Sequence, residues 1–192
     1  MDGLPTVLWL PPIAVIAYFI VTFNRLIGLR NACTNARAGI DVNLTRRHDL
    51  IPKLVAAVRG YIAHESATLR AVVEARQMAM GQLGAAGSAA AEQQVEQSLS
   101  QLVLHVEDYP ELKAETLFGN LMRNLTEAEE QISASRRAFN GQVLRLNNLV
   151  QGFPSLIVAS ILGFRTLESY SATNSERVPP TVELGRNTRH DG

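Results

Sequence analysis

The chain opens with an apolar block and then settles into a helical alternation of apolar and polar positions. Leu4 to Phe23 runs for twenty residues without a charged side chain. At about 1.5 Å of rise per residue such a helix covers about 30 Å, the thickness of a bilayer's hydrocarbon core, so residues 4–23 predict a transmembrane helix. Trp9 and Tyr18 lie towards its two ends, where interfacial aromatics collect. Pro5, Pro11 and Pro12 remove backbone donors, so regular helix is expected only from near Pro12. Beyond the span, Leu26, Leu29, Cys33, Ala36 and Ile40 follow at alternating spacings of three and four, ending near Leu44. No breaker separates Tyr18 from Arg46, which predicts one rod for the anchor and the first bundle helix.

Arg46-Arg47-His48-Asp49 then leads into Leu50-Ile51-Pro52. Proline suits the first turn of a helix and aspartate suits a cap, so a turn here is expected to start a second helix with Asp49 as its cap. Its apolar stripe is Ile51, Leu54, Val55, Val58, Ile62, Leu69 and Val72. Residues 78–91 are rich in Gly and Ala and read as a mobile link, since three glycines disfavour helix. Val95, Leu99, Leu102 and Val106 mark a third helix that ends before Pro110. Leu117, Leu121, Leu125, Ala128, Ile132, Phe139, Val143, Leu146 and Val150 mark a fourth, from Glu111 to Gln151. Four amphipathic helices with short links pack most simply as an antiparallel, up-and-down bundle over residues 24–168. The expected fold is therefore all-α, with an anchor continuing into a bundle. Residues 169–192 are expected to form a disordered tail, since from Ser171 the chain shows no periodicity.

An up-and-down order returns the end of the fourth helix to the membrane surface. There the sequence is apolar from Phe153 to Phe164, with Phe153, Leu156, Ile157, Ile161 and Phe164 as candidate interface residues. The stretch is too short to span a bilayer. It either caps the bundle or lies in the interface, and it lacks the basic face usual for interfacial helices.

Composition narrows the picture. Aromatics are only 6% of the 192 residues while Ala and Leu abound, which favours helix over sheet. The formal net charge is zero, which argues against nucleic acid as a partner. The neutral total hides an asymmetry. From Asn24 to Arg76 eight Arg and one Lys face four acids, whereas from Glu92 to Glu130 nine acids face Lys113 and Arg123. Either the two halves face each other or each is a solvated surface. The lone Cys33 excludes an intramolecular disulfide and reads as a small buried side chain. Arg25, Arg30 and Arg37 follow the span, and Asp2 rather than a basic residue precedes it. A cleaved signal peptide is thereby disfavoured, and the positive-inside rule predicts an N-terminus outside and a bundle in the cytoplasm, at the plasma or inner membrane.

The stretch from Phe23 to Leu26, the run Asp41 to Val55 and Gly60-Tyr61-Ile62-Ala63-His64-Glu65 resemble the LemA family of bacterial membrane proteins. Glu129 to Asn140, Phe153-Pro154-Ser155, Leu162-Gly163-Phe164-Arg165 and Pro179 to Leu184 are similar to later parts of the same family, in order and over nearly the whole chain. Ala138 after the Arg pair, and Ser171 to Asn174 in place of an acidic stretch, depart from it. The resemblance implies an anchor, a helical bundle and a cytoplasmic body, and no established activity.

Chemistry is sparse. None of His48, His64, His105 and His190 lies three or four residues from another, so a two-histidine zinc helix is absent. Gly81, Gly84 and Gly87 lack the Lys and Ser or Thr of a phosphate loop, and Glu129-Glu130 are adjacent and so diverge on a helix. No enzyme activity and no cofactor is expected. Two polar clusters remain: Arg46, Arg47, His48 and Asp49, expected in the turn farthest from the membrane, and Arg136, Arg137 and Asn140 in the fourth helix. They either dock an acidic partner or hold the bundle in register against its acidic helices. The functional expectation is a membrane-anchored, non-enzymatic scaffold or adaptor for unknown protein partners. The alternative is a homo-oligomeric membrane-shaping protein that uses residues 153–164 against the lipid bilayer.

Overall fold

The computed structural model of the chain describes residues 4–62, 65–83 and 88–170. Residues 84–87 of the Gly/Ala link and 171–192 of the expected tail lie outside the described residues, as do residues 1–3. Among the described residues every regular element is a helix, in the order α1 (Leu4–Val58), α2 (Ser66–Met80), α3 (Ser88–Val106), α4 (Pro110–Ala114), α5 (Thr116–Gln151) and α6 (Ser155–Ile161). The all-α expectation holds.

The first helix is longer than the sequence predicts at both ends. It begins at Leu4 and continues through Pro11 and Pro12, because proline's fixed φ is already helical and only hydrogen bonds are lost. It also runs on through Pro52, so no turn forms at residues 46–49 and Asp49 caps nothing. The chain turns instead at residues 59–62, and the predicted second helix is split between α1 and α2. Leu10, Ile13, Val15, Ile16, Ile20 and Val21 are all exposed on α1, as lipid-facing side chains are, and the mean hydropathy of this window is 1.7.

The bundle has two unequal halves. In the distal half α2 and α3 form a hairpin against the end of α1 and the start of α5. Their core contains Ile51, Leu54 and Val58 of α1, Val72 of α2, Val95 and Leu102 of α3, and Phe118 and Leu121 of α5. In the proximal half α1 and α5 pair alone, covered by α6 and the chain that follows it. Leu26, Cys33, Ile40 and Leu44 meet Ile132, Phe139, Val143 and Leu146 there. The α1–α5 pair is antiparallel, since Asn43 meets Ser135 while Arg47, one turn further on, meets Glu129.

A seven-residue spacing runs through this seam. Leu26, Cys33, Ile40, Arg47 and Leu54 are buried in α1, and Phe118, Leu125, Ile132, Phe139 and Leu146 line up in α5. Leu117, which the periodicity places in the core, is exposed, and Phe118 takes its place. The predicted fourth helix is interrupted at Glu115, which is extended, so α4 and α5 are separate. Helix α2 runs on to Met80 and α3 begins at Ser88, so both enter the stretch 78–91 that the sequence reads as a link.

Candidate functional site

Arg47 occupies a core position of the α1 seam, where the next layers on either side are Leu44 and Ile51. A guanidinium placed there needs partners, because an unpaired buried charge is strongly unfavourable. It has two. One terminal nitrogen, Nη1, donates to Glu129 Oε2 of α5 at 2.6 Å, and Nη2 donates to Glu92 Oε2 of α3. Glu92 holds its other oxygen 2.9 Å from His48 Nε2. Arg47, His48 and Glu92 are each no more than 1% exposed. Burial alone pushes the Glu92 carboxyl up, but the hydrogen bond from His48 and the charge of Arg47 outweigh it and hold it below the usual carboxylate range. These residues form a polar layer between the two apolar cores, and the basic and acidic halves of the sequence meet in it. Arg46 and Glu127 extend it to the surface at 3.6 Å, both well exposed.

Arg76 of α2 completes the layer. Its Nε donates to the main-chain carbonyl of His48 at 2.6 Å. That carbonyl would ordinarily accept from the amide four residues on, which is Pro52 and has no N–H.

The second polar cluster is a separate device, seven residues along α5. Arg136 stacks on the Tyr170 ring, 4.8 Å from its centroid. Asn140 grips the Tyr170 backbone twice: its Nδ2 donates to the carbonyl at 3.1 Å and its Oδ1 accepts from the amide at 2.8 Å. Asn147 grips Leu167 in the same way, at 2.9 Å in each direction. Seven residues of helix rise about 10.5 Å, and three residues of extended chain rise about 10 Å. The two asparagines therefore match the pitch of the segment they hold. Arg137 is exposed and takes no part in this grip.

The two predicted clusters are thus not joined into one site. Arg47 and His48 face inward, Arg46, Asp49 and Arg137 face outward, and Asn140 holds the C-terminal strap. Sequence reading missed Glu92, Arg76 and Asn147. The signals were present: an arginine on the seven-residue seam demands carboxylates, an in-helix proline demands a foreign donor, and Asn147 repeats Asn140 at two helical turns.

An open groove runs between the distal end of α1 and α2. Pro52, Val55, Leu69 and Val73 form its apolar floor, and Arg59, Arg70 and Arg76 stand along it against Glu74. Among the described residues no group of three His, Cys, Asp or Glu side chains is placed to hold a metal. Of the interface candidates, Phe153, Leu156, Ile157 and Ile161 are exposed, and Phe164 is half-buried beside Arg30.

Two curated relatives cover most of the chain. The magnetosome protein MamQ of Magnetospirillum gryphiswaldense is 24% identical over 184 residues, which span 82% of this chain and 68% of that protein. The protein LemA of Metamycoplasma hominis is 25% identical over 165 residues, spanning 85% of this chain and 75% of its own length. Together with the exposed apolar length of α1, this kinship points to a membrane protein. The family model described as the LemA family matches residues 36–184, and the chain belongs to that family.

Proposed function

We propose that the protein is a non-enzymatic, membrane-anchored adaptor whose distal α1–α2 groove receives an acidic amphipathic segment of a protein partner. The groove carries the reading. Its floor is apolar, and three arginines stand against one glutamate along it. An amphipathic helix lays its apolar face into such a groove and pairs its acidic flank with the rim. Position supports the same use. From Arg25 to Pro52 and Val58 the unbroken α1 rises about 40–50 Å, so the groove stands well clear of the bilayer. The positive flank of the span favours a cytoplasmic body.

The test is photo-cross-linking in cells from a reactive residue placed at Val73, with a second placed at Arg137 as control. A foreign partner captured from Val73 alone, and lost in the Arg59→Glu/Arg70→Glu variant with helix content unchanged, supports the adaptor. Capture that survives the charge reversal refutes the groove. A ladder of self-cross-links from both positions would instead favour the oligomeric membrane-shaping protein, a reading to which the exposed apolar side chains of α6 lend weight.

A further inference from the structure

Helix α6 is apolar on two faces, and one of them is uncovered. Ser155, Val158 and Ala159 pack inward against α1 and α5, while Leu156, Ile157 and Ile161 point outward. Phe153, in the turn before it, is 84% exposed. Four large apolar side chains on one short element are unusual on a soluble surface.

The height of α6 along α1 indicates what covers them. Val158 and Ala159 share a core with Leu26, and Phe19 packs against the same core. Thr22, inside the charge-free span, is 4% exposed, so it too is covered by protein. Phe19 lies six residues before Arg25, the first charge after the span, or about 9 Å deeper along the helix. The α6 segment therefore sits beside the membrane-spanning part of α1 rather than above it. Its basic neighbours lie on the other side of that level. Arg25 is exposed at the end of the span, and Arg30 and Arg165 line one small cleft beside Phe164 and Gly163. The chain leaves the apolar level sharply, because Gly163 takes φ +70° and closes α6, with the amide of Gly163 donating to the Ser160 carbonyl and that of Phe164 to the Ala159 carbonyl. Apolar face below and arginines above is the layering of an element lying in an interface, where burial reaches about 5–10 Å.

We propose that α6 and its preceding turn form a second membrane contact, with Phe153, Leu156, Ile157 and Ile161 immersed in the acyl–headgroup boundary of a phospholipid bilayer next to the anchor. Two contacts fix the body against the membrane where a lone anchor would let it swivel. The contact is independent of any groove partner.

The full chain, carrying Trp9→Phe to remove its one tryptophan, is reconstituted into phosphatidylcholine vesicles with and without brominated acyl chains. Leu156→Trp and Ile161→Trp report from α6, and Leu144→Trp reports from an exposed site on α5. All three are surface positions, and circular dichroism checks the fold. The expected result is a blue-shifted emission that brominated lipid quenches at Leu156→Trp and Ile161→Trp, and no quenching at Leu144→Trp. Emission from the α6 positions that is red-shifted and insensitive to bromine, as at Leu144→Trp, overturns the proposal.

Discussion

The guanidinium of Arg76 donates from Nε to the main-chain carbonyl of His48 at 2.6 Å, where the amide of residue 52 would stand if that residue were not proline. One side chain of α2 thereby mends a gap in α1 and ties the hairpin to the rod. It explains how a 55-residue helix passes an internal proline without breaking.

This pairing predicts a coupled pair of substitutions. Removing a charged donor from a buried carbonyl costs about 1.5–3 kcal/mol, so Arg76→Leu should destabilise the chain by that amount. Pro52→Ala restores the N–H, and in that background Arg76→Leu should cost clearly less. Denaturant unfolding of the four proteins in the same detergent measures the coupling, and strict additivity would show that Arg76 serves some other end.

Arg47 and Glu92 predict a second non-additive pair. Arg47→Leu leaves the Glu92 carboxylate in the core with His48 as its one remaining partner, a loss of about 3–5 kcal/mol on the scale of broken buried pairs. Arg47→Leu/Glu92→Leu removes both charges and fills the space with apolar groups, so much of that loss should be recovered. The same unfolding experiment decides it. A double variant no more stable than Arg47→Leu would mean that the polar layer contributes net stability of its own.

The apolar stripes were legible in the sequence because they rest on periodicity alone. Val95, Leu99, Leu102 and Val106, or Ile132, Phe139, Val143 and Leu146, are buried as their spacing requires. The break at residues 46–49 was misread because Pro52 is a local signal, and what overrides it is a residue 24 positions later. Helix six was read as a cap or an interface segment, a choice that depends on its height along α1 and not on its composition. Polar partners were harder still. Arg47 finds Glu92 and Glu129 across 45 and 82 residues of sequence, and no local rule links them.

Acid should loosen the layer. The Glu92 carboxyl is held below its ordinary range in the folded chain, so it contributes stability above its unfolded pKa, about 4.3, and loses it as pH falls through the lower folded value. Unfolding followed from pH 7 down to pH 3 should show that loss in the parent protein. In Glu92→Gln the acid-sensitive part should shrink, and an unchanged profile would place the dependence on other carboxylates.

The two asparagine grips make the last prediction. Asn140 and Asn147 each satisfy one amide and one carbonyl of the strap, and nothing else bonds the Leu167 and Tyr170 amides among the described residues. Backbone amides held this way exchange slowly only while the grip is closed. Asn140→Ala/Asn147→Ala should therefore speed hydrogen exchange across residues 164–170 and leave the α1–α5 amides near Ile40 and Phe139 protected. Asn147→Ala alone should free Leu167 more than Tyr170, because Arg136 still stacks on the Tyr170 ring. Exchange that rises equally along α5 would mean the asparagines support the helix pair itself and not the strap.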